Sequence, residues 1–370
     1  MSEPPKGCTR CEILPAGEEG AGHLYLWCPT PHTLAKVKRR LAQGGHAHRY
    51  LQASQALRVE VREGELAALA ASLSEPLGDQ ENEDTRVLFL PGARRPGLAD
   101  YSRVVSLRRF LAARHADWVL DLLRERRLTS LFQPIVRVAD LAESAGTAAG
   151  EPPFAHEALL RGVGHDGGLV GPERLFHAAR DRDLLFQLDL AARQTSIREF
   201  VRHGGTTRLF VNFTPTSIYD PAFCLRSTVG LVRETGLAPE RIVFEVIESE
   251  QVRDLDHLES ILKVYRASGF QVALDDLGAG YSSLNLMNRL RPDFVKLDKE
   301  LTRGVDADPY KAVIAEKLLE LARKLGIRSV AEGVETAAEL AWLREHGADF
   351  AQGYHLGRPA RVPVGAAAGG

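Results

Sequence analysis

Acidic side chains recur at the ends of apolar, strand-like runs through the C-terminal two thirds of this chain. Glu157 lies in FAHEALL, Asn212 closes LFVN, Glu245 and Glu248 sit in FEVIES, Asp275 and Asp276 end VALDD, Lys296 and Asp298 lie in FVKLD, and Glu332 ends VAEG. A charge inside a buried strand is costly unless it is paired or bound to a metal. For any single acid, a helix cap or a salt-bridge partner is a sufficient explanation. Taken jointly that explanation fails, because Glu157, Asn212, Glu245, Asp275 and Asp276 come from four consecutive runs and would repel one another without cations. All-oxygen sets suit Mg²⁺ or Mn²⁺. His156 and His355 are isolated, and His156 points away from the face that Glu157 uses, which argues against zinc. Side chains at Asp275 and Asp276 diverge on leaving a strand, so each can address a different ion. Two ions about 3.5 to 4 Å apart are the usual device for in-line phosphodiester hydrolysis.

Lys296 is the cation expected among these acids. Its side chain either balances charge as an ammonium, or orients or, as the neutral amine, deprotonates an attacking water. An ordinary lysine pKa near 10.4 makes it a poor base unless the site depresses it, and the residue type leaves both roles open.

The elements that would position these groups are short apolar runs alternating with amphipathic segments. Eight strand candidates follow Ser130: LFQPIV, FAHEALL, RLFVNF, RIVFEVI, FQVALDD, FVKLD, SVAEGV and FAQGYHL. Helical patterns lie between them at Leu185 to Val201, Leu255 to Ser268, Tyr310 to Leu325 and Thr336 to Glu345. Alternation over this length predicts an α/β fold, a (β/α)8 barrel of the TIM type over residues 128–361. In such a barrel the strand ends converge on one rim. Residues 1–100 predict a small α/β domain, a βαβαβ unit with strands His23 to Cys28, Ala56 to Val61 and Arg86 to Leu90 and helices Leu34 to Leu41 and Glu65 to Leu73. The acidic stretch Glu75 to Asp84 reads as a loop, residues 101–127 as an arginine-rich helical linker, and residues 362–370 as a loose tail.

Length and composition agree with an enzyme-sized globular chain: 370 residues, 44% hydrophobic and 26% charged, have the apolar material for a large core. The net charge of -2 gives no general reason to bind a nucleic-acid polymer or an anionic membrane. The opening MSEPPKGCTR is unlike a secretory leader, and no run approaches the roughly 20 apolar residues of a membrane span. A cytoplasmic protein is the expectation. Cys8, Cys11, Cys28 and His32 offer a Cys3His set for structural zinc, a redox-responsive thiol pair, or cysteines without a ligand. A lone CxxC is weak evidence, so unligated cysteines are the simpler reading.

Between Leu128 and Pro359 the sequence resembles the EAL-domain family of cyclic-di-GMP phosphodiesterases. Ordered motifs carry the resemblance: Phe132-Gln133-Pro134-Ile135, Glu157-Ala158-Leu159-Leu160-Arg161, Val211-Asn212, Glu245-Val-Ile-Glu248, Asp275-Asp276-Leu-Gly-Ala-Gly-Tyr-Ser-Ser-Leu, Val295-Lys296-Leu-Asp298, Ala331-Glu332-Gly-Val-Glu335 and Gln352-Gly353-Tyr354. It implies hydrolysis of cyclic-di-GMP to the linear dinucleotide pGpG. Glu157, Asn212, Glu245, Asp275 and Asp276 would hold two Mg²⁺ or Mn²⁺ ions, with Glu332 reaching one directly or through water. Glu157, Lys296 and Glu332 would carry the catalysis, and Gln133, Leu160, Arg161, Asp298 and Gln352 would hold the dinucleotide. Glu248 resembles the anchor of the loop Leu277 to Ser283, which couples dimerisation to metal and substrate binding in the family, so a homodimer through the barrel is implied.

The chain departs from the family pattern at Leu277, Ile247 and Gly162, where phenylalanine, threonine and tryptophan are usual. None of these removes a ligand or the lysine. A catalytically silent cyclic-di-GMP receptor signalling through the N-terminal domain is the alternative, and a barrel hydrolase of another phosphate ester is a third reading. No signature of a diguanylate cyclase appears, since Gly204-Gly205 is followed by threonines. The signal and protein partner of the N-terminal domain are not legible.

Overall fold

The computed structural model describes residues 13–14, 20–141, 152–218, 220–247, 254–278 and 283–365. They cluster into two units, one built on residues 14–125 with 173–185, the other on 126–172 and 186–370. Residues 366–370 of the expected tail lie outside the described residues.

In the smaller unit, strands β1 (Gly22–Trp27), β2 (His48–Leu51), β3 (Ala56–Val61), β4 (Arg86–Pro91) and β5 (Val105–Ser106) form a sheet of order β2-β3-β1-β4-β5. Every neighbouring pair is antiparallel. Helix Pro31–Gln43 joins β1 to β2, and helix Leu66–Ser74 stands between β3 and β4. This is the split β-α-β arrangement rather than the plain βαβαβ unit read from sequence. The strands missed are β2, whose residues are half-buried or exposed, and β5, two residues long. Neither carries an apolar run. One sheet face buries Leu24, Leu26, Leu57, Val59, Val87 and Phe89 against Val37, Leu41, Leu69 and Leu73 of the helices. The acidic stretch read as a loop contains the helix Asp79–Asp84, because Glu81 accepts from the Gly78 amide at 2.9 Å and from Lys36 Nζ at 2.7 Å. Tertiary partners here override a composition that favours solvent. Residues 101–124 add the helices Leu107–His115 and Asp117–Arg124 to the same unit, burying Leu107, Phe110, Val119 and Leu122.

The larger unit is a closed barrel. Its strands are β6 (Leu128–Arg137), β7 (Ala155–Val163), β9 (Arg208–Phe213), β10 (Ile242–Ile247), β11 (Gln271–Leu277), β12 (Phe294–Leu297), β13 (Arg328–Ala331) and β14 (Phe350–Ala351), with the short β8 (Leu169–Val170) paired to β7. The order β6-β14-β13-β12-β11-β10-β9-β7 is closed by β6 pairing with β7. All eight sequence candidates are therefore barrel strands. Six neighbouring pairs are parallel, whereas β6 runs antiparallel to both β7 and β14. An antiparallel neighbour needs no crossover helix, so the first strand joins the ring reversed.

The barrel interior is packed in layers. Ile135, Ala155, Phe210, Val243, Ala273, Phe294, Val330 and Phe350 form one buried cluster, one residue from each strand of the ring. Side chains alternate across a strand with a period of two, so the residue two positions further along each strand also faces inward. That next layer is Gln133, Glu157, Asn212, Glu245, Asp275, Lys296, Glu332 and Gln352, with β6 counted backwards because it is reversed.

Candidate active site

The polar layer places one member on each strand or just beyond its end. Lys296 is 1% exposed, and its Nζ lies 2.6 Å from Glu332 Oε1, 2.7 Å from Glu245 Oε1, 3.2 Å from Asp275 Oδ1 and 3.4 Å from Glu157 Oε2. Burial alone would discharge it, yet Asp275, Glu157, Glu245 and Glu332 outweigh burial and hold its pKa well above the ordinary lysine value. These four carboxylates favour the ammonium form of Lys296, which donates to them.

The acids show the reciprocal effect. Burial raises Glu245 well above the ordinary glutamate value against the pull of Lys296, with Glu157 and Asp275 adding to the rise. Burial pushes Glu332 up to about 8, opposed by Lys296 and reinforced by Asp275 and Glu157. Asp276 rises to about 6 through burial and the neighbouring Asp275 and Asp298. One ammonium is too little positive charge for this many carboxylates in a low-dielectric pocket.

Two observations bear on a divalent ion. Carboxylate oxygens of Asp275, Asp276 and Glu332 lie within 4.8 Å of one another, and in the fully buried Glu245 Oε1 faces Lys296 while Oε2 lacks a hydrogen-bond partner among the described residues. Oxygen donors left without protons to accept are what a hard cation requires, so the residues fit Mg²⁺ or Mn²⁺. Local backbone geometry makes the set. The β11 register shifts between Leu274 and Leu277, and Asp276 sits in the left-handed region at φ 57°. A bulge of this kind re-aims consecutive side chains, which lets both aspartates serve one site.

Gln352 and Gln133 line the opposite side. Gln352 Nε2 donates to Glu157 Oε2 at 2.7 Å and to Gln133 Oε1 at 3.0 Å, and Gln133 Nε2 donates to the Gly357 carbonyl at 3.1 Å. Asn212 Nδ2 donates to Glu157 Oε1 at 3.2 Å, which leaves its carbonyl oxygen as the atom for a cation. Among the described residues the buried Gln352 Oε1 has no partner. Arg161, half-buried, donates to the Leu160 carbonyl at 2.7 Å and lies in the electrostatic range of Glu157 and Tyr354. Leu160 itself is buried.

Asp298 caps the helix Lys299–Thr302, accepting from the Glu300 amide at 2.7 Å, and stands close enough to Asp276 to raise its pKa. Glu248 lies outside the described residues, as do residues 279–282 of its loop. Tyr354, the last residue of the Gln352-Gly353-Tyr354 motif, is 52% exposed beyond β14, with Arg358 stacked 4.3 Å from its ring centre. The pair Asp189 and Arg193, buried behind β9, gave no signal in the strand pattern because it lies on a helix.

The structure gives the zinc reading no support. Cys8 and Cys11 lie outside the described residues, and Cys28 is a free, partly buried thiol packed against the apolar core of the smaller unit. Burial, reinforced by Glu81, pushes the Cys28 pKa up to about 11, which disfavours the thiolate a metal needs. Among the described residues no helix is long and apolar enough to cross a membrane.

Residues 116–359 match the family model of the EAL domain. A cyclic di-GMP phosphodiesterase of Pseudomonas aeruginosa, NbdA, is 30% identical over 271 residues, covering 70% of this chain and 32% of that protein. The chain spans 28% to 44% of the length of three curated relatives it matches. The standalone EAL protein of Vibrio cholerae, solved bound to c-di-GMP, is 34% identical with a TM-score of 0.55, covering 63% of this chain and 92% of that one. Klebsiella pneumoniae BlrP1, solved as a manganese and c-di-GMP complex, is similar in fold over 92% of this chain and 96% of its own, with a TM-score of 0.55 and 24% identity.

Proposed function

Because this chain belongs to the EAL domain family, we propose that it is a metal-dependent phosphodiesterase that opens cyclic-di-GMP to linear pGpG. One observation carries the reading: the barrel layer above the apolar floor is entirely polar and includes Glu157, Asn212, Glu245, Asp275 and Glu332 around a single Lys296. The relatives named above supply the substrate, and every position expected to hold a metal is an oxygen donor.

Glu157, Asn212, Glu245, Asp275, Asp276 and Glu332 would hold Mg²⁺ or Mn²⁺. When bound, the ions activate water and stabilise charge developing on the phosphoryl oxygens. The remaining steps belong to the chain. Arg161 presents a fork of donors that suits a phosphate. Gln133 and Gln352, locked to one another and to Glu157, fix the side of the pocket the dinucleotide meets, and Gln352 offers its free Oε1. Lys296 donates from Nζ and offsets the mutual repulsion of the four carboxylates around it. We further propose a cytoplasmic protein acting as a homodimer through its barrel, with Glu248 anchoring the loop that follows Asp276.

The test is incubation of purified protein with cyclic-di-GMP and Mg²⁺ or Mn²⁺, with and without chelator, and chromatography of the nucleotides. Linear dinucleotide should form with metal and stop with chelator, and Glu157→Ala should lower the rate on the order of a hundredfold or more. Substrate bound but uncut with both metals would refute the enzyme and leave a receptor.

A further inference from the structure

The helix Leu185–Arg202 buries a charge pair that the chemistry above does not use. Asp189 and Arg193 are 1% and 2% exposed, and Arg193 Nη1 donates to Asp189 Oδ2. A carboxylate taken out of water is tolerated only with partners for its lone pairs. Those partners come from the chain that leaves β9. Asp189 Oδ1 accepts from the Thr214 amide at 2.8 Å, and Oδ2 accepts from the Ser217 hydroxyl at 2.6 Å. Thr214 and Ser217 are themselves buried.

Thr214 is two residues beyond Asn212, where the strand stops and a single turn, Pro215–Ser217, begins. Its amide is the first beyond the strand. A backbone donor buried at such a point must be satisfied, and the residue that satisfies it decides where the strand ends. From the other direction Phe213 packs edge-on against Tyr265, ring centres 5.3 Å apart, and Tyr265 stacks on Phe244 at 4.0 Å. The backbone around Asn212 is thus held between a buried carboxylate and an aromatic wall. Asn212 in turn reaches Glu157 at 3.2 Å.

We propose that Asp189, kept in place by Arg193, is a positioning residue for Asn212: it fixes the end of β9 so that the Asn212 carboxamide oxygen faces the acidic layer as a cation ligand. This rests on the reading of that layer as a metal site. Asp189 touches neither metal nor substrate and acts through Thr214.

The test is Mn²⁺ binding to the full chain by calorimetry, for wild type, Asp189→Ala, Asp189→Asn and Leu258→Ala, with thermal melts of each. Leu258 is a fully buried core residue of the helix Leu255–Ala267, and its truncation supplies destabilisation without touching the Asp189 network. Asp189→Ala should weaken Mn²⁺ binding about 10- to 100-fold, the range seen when a group supporting a ligand is removed. Asp189→Asn keeps one oxygen for the Thr214 amide and should recover most of the affinity. Leu258→Ala should lower the melting temperature and leave the affinity unchanged. Should Asp189→Ala fail to fold, Ser217→Ala, which removes the hydroxyl from Asp189, must still weaken binding. Affinity unchanged in folded Asp189→Ala or, should that variant not fold, in Ser217→Ala overturns the positioning role alone. Absence of Mn²⁺ uptake by wild type overturns the metal site, and this inference with it.

Discussion

Lys296 Nζ lies 2.7 Å from Glu245 Oε1, and neither side chain has measurable contact with solvent beyond 1%. Removing one partner of a buried pair leaves an uncompensated charge, and here the lysine serves four carboxylates at once. Lys296→Met should therefore destabilise the metal-free protein by about 3 to 5 kcal/mol. Saturating Mg²⁺ should recover part of that loss, because the ions replace the missing positive charge. Urea unfolding with Mg²⁺ and with chelator measures both quantities, and a variant as stable as wild type without metal would refute the charge-balancing role.

Metal alone should stabilise the protein. A ligand that binds the folded state at a hundred times its Kd contributes about 2.7 kcal/mol, so Mn²⁺ should raise the melting temperature and chelator should return it. Glu245→Gln should abolish that response, because it exchanges a buried carboxylate, whose Oε2 has no hydrogen-bond partner among the described residues, for a neutral amide. A Glu245→Gln protein that responds like wild type would place the cation elsewhere.

The smaller unit should lose stability in acid through Glu81. Hydrogen bonds from Lys36, the Gly78 amide and Thr33 hold its carboxyl down at about 2, below the ordinary 4.5. With the folded pKa depressed, the unfolded chain binds the proton first. The stabilisation is therefore complete above about 4.5 and disappears as the pH falls towards 2. Unfolding measured across that window should be steeper for wild type than for Glu81→Gln, and equal slopes would contradict the assignment.

Gly353 allows the Gln352 backbone to lie against the loop after β13. A Cβ at this position would stand 2.0 Å from the Val334 carbonyl oxygen and 2.3 Å from its nitrogen, where Gln352 accepts from the Val334 amide at 3.1 Å. The clash is with backbone, so it is not relieved by a rotamer change. Gly353→Ala should destabilise the barrel by about 1 to 3 kcal/mol, the usual range for overpacking, and should reduce turnover more than stability alone predicts because Gln352 is displaced from Glu157. Melting curves and turnover by chromatography check the two together.

The barrel strands and the polar residues on them are legible in the linear sequence, because a strand buried on both faces is almost continuously apolar and any acid within it is conspicuous. Glu157, Glu245, Asp275, Asp276 and Glu332 stood out for that reason, and alternation with helical segments was enough for the fold class. Tertiary structure decided what a linear pattern cannot hold. Closure of the ring put Gln133 beside Glu157 across an antiparallel pair and brought Gln352, from the far end of the chain, within 2.7 Å of the same glutamate. The reversal of β6, the bulge that turns Asp276 towards Asp275, and the ionised state of Lys296 all depend on neighbours distant in sequence. In the smaller unit β2 and β5 leave no mark on the pattern because two to four residues without an apolar run carry no periodicity, and pairing with β3 and β4 alone makes them strands. Asp189 shows the same limit from the other side: a charge on a helix looks solvated until the fold buries it against the end of β9.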